Sequence, residues 1–428
     1  MPSSTSLPRR SFLGWASALP VVAYLEAGVV TRKLSAAVRQ PAADNIYARL
    51  GVRPCINARG TWTYLSGSLE LPQVREAKQQ AAMHFVDIIE LQHAAGKRLA
   101  ELSGAEYGMV TSGAAGALAS ATAACMAGTD PAKIWQLPDT TGMKHEVVMH
   151  GGRIAFDSAI RLTGAKLVMA MNHEELKNAI NPNTAMIYTT ALGESLQQAL
   201  AIARSAQVPL LLDDAAGIPP IENLRKYSGM GIDMYTFSGG KGLCGPQCSG
   251  ILLGRKSLIE AAMANTSPFE GAVCRPMKVG KEEIMGCLAA VEAATKMDLP
   301  AMTRLWQTKV DRIVKVVKTV PGVDTRITIP EDGNRYPTLT VSWDEKAWGF
   351  TVADCERQLR DGEPRIEVLT NSNPSLVPVV REGDGKEHSH GEERNQLQIV
   401  SMTLQAGEEW IVARRLREVL NQARKKRA

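Results

Sequence analysis

Phe237-Ser238-Gly239-Gly240-Lys241-Gly242 closes a short apolar run and opens a glycine-rich loop that extends to Ser249. The runs on either side, 232–237 and 250–254, both read as strands, and no helical segment separates them. A lysine between glycines has room around it, and its amine can attack a carbonyl once burial and neighbours lower its pKa. A lone lysine in such a loop would ordinarily be a surface residue. Two features upstream change that reading.

The first is Leu211-Leu212-Asp213-Asp214-Ala215. A strand apolar on every residue is expected where both faces of a sheet are covered, and ligands bind at the carboxyl ends of such strands. Two acids placed there therefore point into a site. One of them also suits a cap for the following turn, so Asp213 is assigned to the ligand and Asp214 to the local role. The second feature is Thr111-Ser112-Gly113-Ala114-Ala115-Gly116-Ala117, which follows run 107–111 and opens an alanine-rich helix. Small residues let backbone N–H groups approach an anion, and a helix N-terminus favours phosphate. By itself this is weak evidence, since close packing needs the same residues.

Working outward, short β-rich runs alternate with helical patterns from residue 107 to 265. The strands are expected at 107–111, 146–149, 166–170, 185–190, 209–213, 232–237 and 250–254, with helices between most of them at 155–162, 174–180 and 194–206. This alternation predicts an α/β domain with a mainly parallel sheet. A long helical stretch around 282–320 follows. Strands at 325–329, 338–342 and 396–403 and helices at 351–359 and 408–422 then predict a smaller α+β C-terminal domain. The expected division is a signal segment at 1–37, an arm and large domain at 38–290, and a small domain at 291–428. The charged stretch 381–395 reads as a loop, and its His388 and His390 as solvated residues rather than metal ligands.

Composition sets outer limits. The chain has 428 residues, 45% hydrophobic and 22% charged, an ordinary globular balance that argues against disorder. The net charge of +5 sits partly at the ends, in Arg9-Arg10 and the tail Arg424-Lys425-Lys426-Arg427. No aromatic platform accompanies the tail, so a helix end is expected there and a nucleic-acid partner is not. The 7 cysteines are odd in number and scattered, which excludes a disulfide framework. Cys244 and Cys248 lack the second pair of a structural zinc site. At the N-terminus, Pro8-Arg9-Arg10-Ser11-Phe12-Leu13-Gly14 precedes an apolar run from Trp15 to Leu25, which Glu26 ends. The run is shorter than the roughly 20 residues of a membrane span. It resembles a twin-arginine export signal, which implies export to the bacterial periplasm. Such substrates leave the cytoplasm folded, which suits a protein that loads a cofactor first.

Taken together, the phosphate-suited turn, the acid-tipped strand and the loop lysine match pyridoxal 5'-phosphate (PLP). The lysine would bind it as a Schiff base. The carboxylate of Asp213 would pair with its protonated pyridine nitrogen and keep the ring an electron sink. The segment Phe-Ser-Gly-Gly-Lys-Gly-Leu-Cys-Gly-Pro-Gln (residues 237–247) resembles the lysine segment of the selenocysteine synthase-like proteins. These include L-seryl-tRNA(Sec) selenium transferase and relatives of D-glucosaminate-6-phosphate ammonia-lyase. Ile56-Asn57-Ala58-Arg59-Gly60-Thr61, Val110-Thr111-Ser112-Gly113-Ala114-Ala115 and the stretches 153–164 and 213–220 are similar too.

The resemblance covers about residue 44 onward and implies the PLP-dependent transferase fold type I, as in aspartate aminotransferase. Lys241 and Asp213 would be catalytic, and Ser112, Gly113, Ala114 and Ser238 would surround the phosphate. Asn57 and Arg59 would border a small amino-acid substrate. Arg365, in Pro364-Arg365-Ile366, is the candidate for its carboxylate, since arginine binds carboxylates bidentately. His150 and Arg153 are weaker candidates near the ring. A homodimer or higher homo-oligomer is implied, and the favoured reaction is α,β-elimination of the ammonia-lyase type on an amino acid or amino sugar acid. Two alternatives stand beside it: selenium transfer to seryl-tRNA, and a non-catalytic protein on the same scaffold. The segment before Asn57 is too short for the tRNA-binding domain of bacterial selenium transferases.

Overall fold

The structure is a computed structural model that describes residues 45–331, 333, 335–370, 380–381, 387–388 and 396–425. The arginine pair with its apolar run, His390, and Lys426-Arg427 of the basic tail lie outside the described residues. Residues 45–54 belong to a separate compact unit ending at Pro54 and contain one short 3-10 turn, Ala48–Leu50.

The body of the chain runs from Cys55 onward. Its strands are β1 (Ile56–Ala58), β2 (Tyr107–Thr111), β3 (Glu146–His150), β4 (Lys166–Ala170), β5 (Thr184–Thr189), β6 (Leu210–Asp213), β7 (Met234–Ser238) and β8 (Gly250–Gly254). Seven of them form one sheet in the order β2-β8-β7-β6-β5-β3-β4. The pairs β7–β6, β6–β5, β5–β3 and β3–β4 are parallel, and only β8 runs against its two neighbours. The sheet is therefore mainly parallel, and the missing helix between β7 and β8 accounts for the one reversed strand. A two-residue turn would suffice to reverse the chain; the 11 residues between these strands do something else.

Both faces of the sheet are covered, as the apolar strands require. One face packs on helices Gly113–Ala127, Asp157–Arg161 and Lys256–Ala264, with Met109, Met149, Tyr188 and Leu211 between. The other packs on helices Ile88–Ser103, Gly193–Ala206, Asn223–Met230 and Lys281–Ala294, around Val148, Ile187, Leu212 and Tyr235. Helix Gly113–Ala127 is mostly alanine because it is buried nearly all round and lies close to the strands. Strand β2 is a sheet edge, and Gln92 covers part of it. Its side-chain amide donates to the Val110 carbonyl (2.7 Å) and accepts from the Val110 N–H (3.1 Å).

The C-terminal part has its own core on an antiparallel sheet. Strands β9 (Val323–Thr328) and β10 (Thr338–Trp343) pair, and β14 (Leu397–Val400) joins β10 on its other side. Helices Leu299–Val317, Val352–Asp361 and Glu408–Lys425 pack on it. Strand β11 (Ile366–Val368) pairs in parallel with β1, so the segment carrying Asn57 and Arg59 is sewn to this small sheet domain. Strands β12 (Val380–Arg381) and β13 (Glu387–His388) make a two-rung ladder that begins one residue before the stretch 381–395 read as a loop. The helical stretch expected around 282–320 consists of two helices, because Asp298 caps the second through the Ala301 N–H (2.9 Å) with Pro300 in its first turn.

Candidate active site

The sheet register brings the sequence-predicted residues to one edge. Thr111 of β2 lies opposite Gly250, which lies opposite Ser238 of β7. Asp213 pairs with Thr236, Thr189 with Leu212, and His150 with Thr189. The carboxyl ends of β2, β7, β6, β5 and β3 thus form a row, with the turn at Ser112 at one side and His150 at the other. Gly250 makes the crowded end of this row possible, since a Cβ there would lie 2.5 Å from the Gly113 carbonyl carbon.

Ser112 is the N-cap of helix Gly113–Ala127, yet its hydroxyl makes no capping hydrogen bond. Gly113 adopts a positive φ of 70°, and the position where its Cβ would point has no atom within 4 Å. The turn is therefore open beside Gly113; the Gly113 N–H itself donates to the Cys248 carbonyl (3.1 Å), while those of Ala114 and Ala115 have no intrahelical acceptor. Ser238 ends β7, its N–H bound to the Ala215 carbonyl (3.1 Å).

Asp213 points to the face that carries this helix. Its carboxylate accepts from the Tyr188 hydroxyl (2.9 Å) and from the Ala215 N–H (3.1 Å). Burial raises its pKa, while Tyr188, Ala215 and the Lys241 charge work against that rise. Asp214 turns to the opposite face, where Tyr227 donates to it (2.6 Å) and a Cβ on Gly217 would strike its carboxylate. The two acids are separated by strand alternation: Asp213 faces the site and Asp214 holds the turn.

The loop that carries Lys241 is clamped rather than loose. A Cβ on Gly239 would meet Ser249 Oγ at 2.1 Å, one on Gly240 the Gln247 Cα at 2.5 Å, and one on Gly242 the Ile218 carbonyl oxygen at 1.8 Å. The Gly240 carbonyl accepts from both the N–H (2.9 Å) and the hydroxyl (3.0 Å) of Ser68, and Gln247 donates to the Thr63 carbonyl (2.7 Å). The glycines are thus close-approach residues, and segment 60–68 is laid against the loop. Burial lowers the Lys241 pKa from its usual range, with Asp213 and Asp214 pulling the other way.

The remaining predicted residues are placed less simply. Asn57 closes its own turn, accepting from the N–H of Arg59 (3.0 Å) and Gly60 (3.1 Å) and donating to the Gly60 carbonyl (3.0 Å). Arg59 is 4% exposed and donates to Glu356 (3.3 Å) and the Val368 carbonyl (2.9 Å). Arg365 is about one-third exposed and pairs with Glu367. Arg153 pairs with buried Asp157, which also holds Arg161 (3.0 Å). His150 bonds Thr189 Oγ1 (3.0 Å) and lies against His173 with ring centroids 4.9 Å apart; burial lowers its pKa. Tyr188, Ser68 and His173 are the residues at this edge that sequence reading passed over.

Residues 149–354 match the model of the class-V aminotransferases. The chain is 31% identical over 339 residues to D-glucosaminate-6-phosphate ammonia lyase of Salmonella typhimurium, covering 75% of this chain and 88% of the relative. It belongs to the PLP-dependent family of that lyase and the selenocysteine synthase-like proteins. A solved structure titled as D-glucosaminate-6-phosphate ammonia-lyase superposes with a TM-score of 0.73 at 28% identity, covering 90% of this chain and all of the other. A second family member, the 5'-C-glycyluridine monooxygenase-decarboxylase of a Streptomyces species, is 32% identical over 75% of this chain and 83% of its own length. The L-seryl-tRNA(Sec) selenium transferase of Proteus mirabilis is more distant, at 26% identity over 63% of this chain and 60% of the transferase. The chain is accordingly a PLP-dependent enzyme of fold type I, with a mostly parallel large sheet and a small sheet domain. The site's chemistry fits the cofactor: an open anion turn, a half-buried carboxylate with hydrogen-bond donors around it, and a half-buried lysine lie along one edge.

Proposed function

We propose that this enzyme catalyses α,β-elimination on a small amino acid or amino sugar acid: the Cα proton and the β-hydroxyl leave as water, and hydrolysis of the enamine product releases ammonia and an oxo acid. The reading is carried by one observation: the turn at Ser112, the Asp213 carboxylate and the Lys241 loop converge on a single sheet edge. When bound, PLP supplies the electron sink that stabilises negative charge at the substrate Cα. Lys241 would be the anchor of the cofactor, and its freed amine would be the base for the substrate Cα proton. A lowered pKa leaves more of that amine neutral near pH 7, which suits this task. Asp213 would hold the pyridine nitrogen, with Tyr188 and the Ala215 N–H keeping the carboxylate aimed. Ser112, Gly113, Ala114 and Ser238 would take the phosphate. Arg365 takes the substrate carboxylate, exchanging its contact with Glu367 for the ligand. Asn57 and Arg59 shape the wall of segment 57–64 rather than offering their own polar groups.

The ammonia-lyase relative supports elimination. A decarboxylation comes second, because the Streptomyces relative is as similar. Selenium transfer has less support, since the chain spans 60% of that relative. We read the protein as a homodimer or larger homo-oligomer, in line with the exposed Met83, Phe85, Val86 and Ile89 around the start of helix Ile88–Ser103. Export to the periplasm rests on Arg9-Arg10 and the apolar run alone. The test is product analysis with D-glucosaminate, its 6-phosphate and serine. Ammonia with an equal amount of oxo acid supports the proposal. Carbon dioxide as the product, or no turnover of any amino acid by the PLP-loaded protein, overturns it.

A further inference from the structure

Tyr336 takes no part in the reaction steps above, yet it reaches the loop that carries Lys241. It stands just before β10 and is 1% exposed. Its ring packs edge-on against Trp306 of helix Leu299–Val317, with centroids 5.2 Å apart, in a small apolar cluster with Val400, Leu369 and Met402. Phenylalanine would fill that space as well, and burying a hydroxyl is costly unless it finds a partner. Here the hydroxyl donates to the Ile218 carbonyl (3.5 Å), in the turn that follows Asp213. A Cβ on Gly242 would lie 2.7 Å from the same hydroxyl, so the phenol, the Ile218 carbonyl and Gly242 meet at one point.

That meeting point completes a clamp on the lysine. On one side of Lys241, Ser68 holds the Gly240 carbonyl from segment 60–68. On the other, Gly242 is closed in by Tyr336 from the small sheet domain and by Ile218, next to the turn that the Gly217 N–H closes on the Asp214 carbonyl (2.8 Å). Tyr336 is itself tied to the small sheet. The Thr338 hydroxyl donates to its carbonyl (3.2 Å), and Thr338 pairs with both Val400 and Thr328. Any movement of the small sheet is therefore felt by the backbone on which Asp213 and Lys241 ride. The hydroxyl bond is long, so a shift of a few tenths of an ångström tightens or breaks it.

We infer that Tyr336 is a positioning residue: through its hydroxyl the small sheet domain fixes the backbone at Gly242 and so the aim of the Lys241 amine. This rests on the function proposed above for the role of Lys241, but one of its readouts needs no cofactor. Tyr336→Phe keeps the ring and removes only the hydroxyl. It is compared with the wild type and with Asp87→Ala, which removes hydrogen bonds from a helix cap instead. Without PLP, deuterium uptake over residues 237–249 is about three- to tenfold faster in Tyr336→Phe, the equivalent of one lost hydrogen bond. In the PLP-loaded protein, release of the cofactor on dialysis quickens by a similar factor. The pH midpoint of the visible band moves up by about half a unit, because a looser loop admits water and eases the charge on the lysine. The acids that face that lysine, Asp213 and Asp214, are the same in both proteins. Asp87→Ala moves none of the three. Unchanged uptake in Tyr336→Phe overturns the inference, as do equal changes in Asp87→Ala, which would mark a general loss of stability. Faster uptake with release and midpoint unmoved also overturns it, since the hydroxyl would then only stiffen the loop. A wild-type protein that loads no PLP would instead strike the functional reading, and uptake would still show whether Tyr336 holds the loop.

Discussion

Asp213 is held between opposing effects. Burial pushes its carboxyl up, and the Tyr188 hydroxyl at 2.9 Å and the Ala215 N–H at 3.1 Å stabilise the ionised form against that push. Removing one donor strengthens the upward shift. In Tyr188→Phe the acidic limb of the kcat profile should therefore move to higher pH, and kcat should fall on the order of tenfold with KM little changed. A profile that superposes on the wild type would show that Tyr188 is only packing. His150 has the opposite sign. Its folded pKa is lowered by burial and by His173, so the stability it contributes is complete above the unfolded value of about 6.5 and is lost as pH falls below it. Thermal unfolding of His150→Gln should be flatter than wild type between pH 7 and about 5. The strand ends that place Asp213 and the Lys241 loop together were legible in the sequence, because an acid-tipped apolar strand, a small-residue turn opening a helix and a glycine-flanked lysine each follow a strand run. Tyr188 was not. A tyrosine in an apolar strand reads as core until the register of β5 on β6 shows what its hydroxyl meets.

Among the elements, the seven strands of the large sheet were legible to within a residue or two, because a buried strand needs apolar side chains on both faces. The reversed β8 was visible as two strands with no helix between them. Strand β11 was not, since three residues carry too little periodicity and its partner β1 lies some 300 residues away. Within the helical stretch at 282–320, a capping aspartate and a proline divide one helix from the next. The lysine loop gives the sharpest prediction at this scale. Its glycines serve close approach, so Gly242→Ala must displace the Ile218 carbonyl, 1.8 Å from the added carbon. A loss of about 2 kcal/mol or more is expected in urea unfolding, with weakened retention of PLP. Alanine tolerated without either change would mean that the loop has slack. In contrast, Asp87→Ala, which removes the cap that accepts from Ile89 (2.8 Å) and Glu90 (3.1 Å), should cost only about 1 kcal/mol.

At the scale of the whole molecule, the small sheet domain and the Arg59 segment are joined by buried charge. Arg59 and Glu356 are each nearly fully buried and pair at 3.3 Å, and Glu356 also accepts from the Thr370 hydroxyl (2.7 Å). Removing the arginine leaves a buried carboxylate with Arg360 at 3.7 Å and Thr370 among its remaining partners. Arg59→Met should therefore destabilise the protein by about 3 kcal/mol, the low end for breaking a buried pair. A loss below about 0.5 kcal/mol would place the pair among ordinary surface bridges.

The central claim is that Lys241, aimed along the edge that carries Asp213 and the Ser112 turn, holds the cofactor. The measurement that tests it most directly is the visible absorption spectrum of the purified protein, before and after borohydride, beside that of Lys241→Ala. The expected result is a band of lysine-bound PLP that borohydride removes, leaving the cofactor covalently attached to the peptide containing Lys241, and no such band in the variant. A protein that stays colourless with added PLP, or label found on another lysine, would contradict the account.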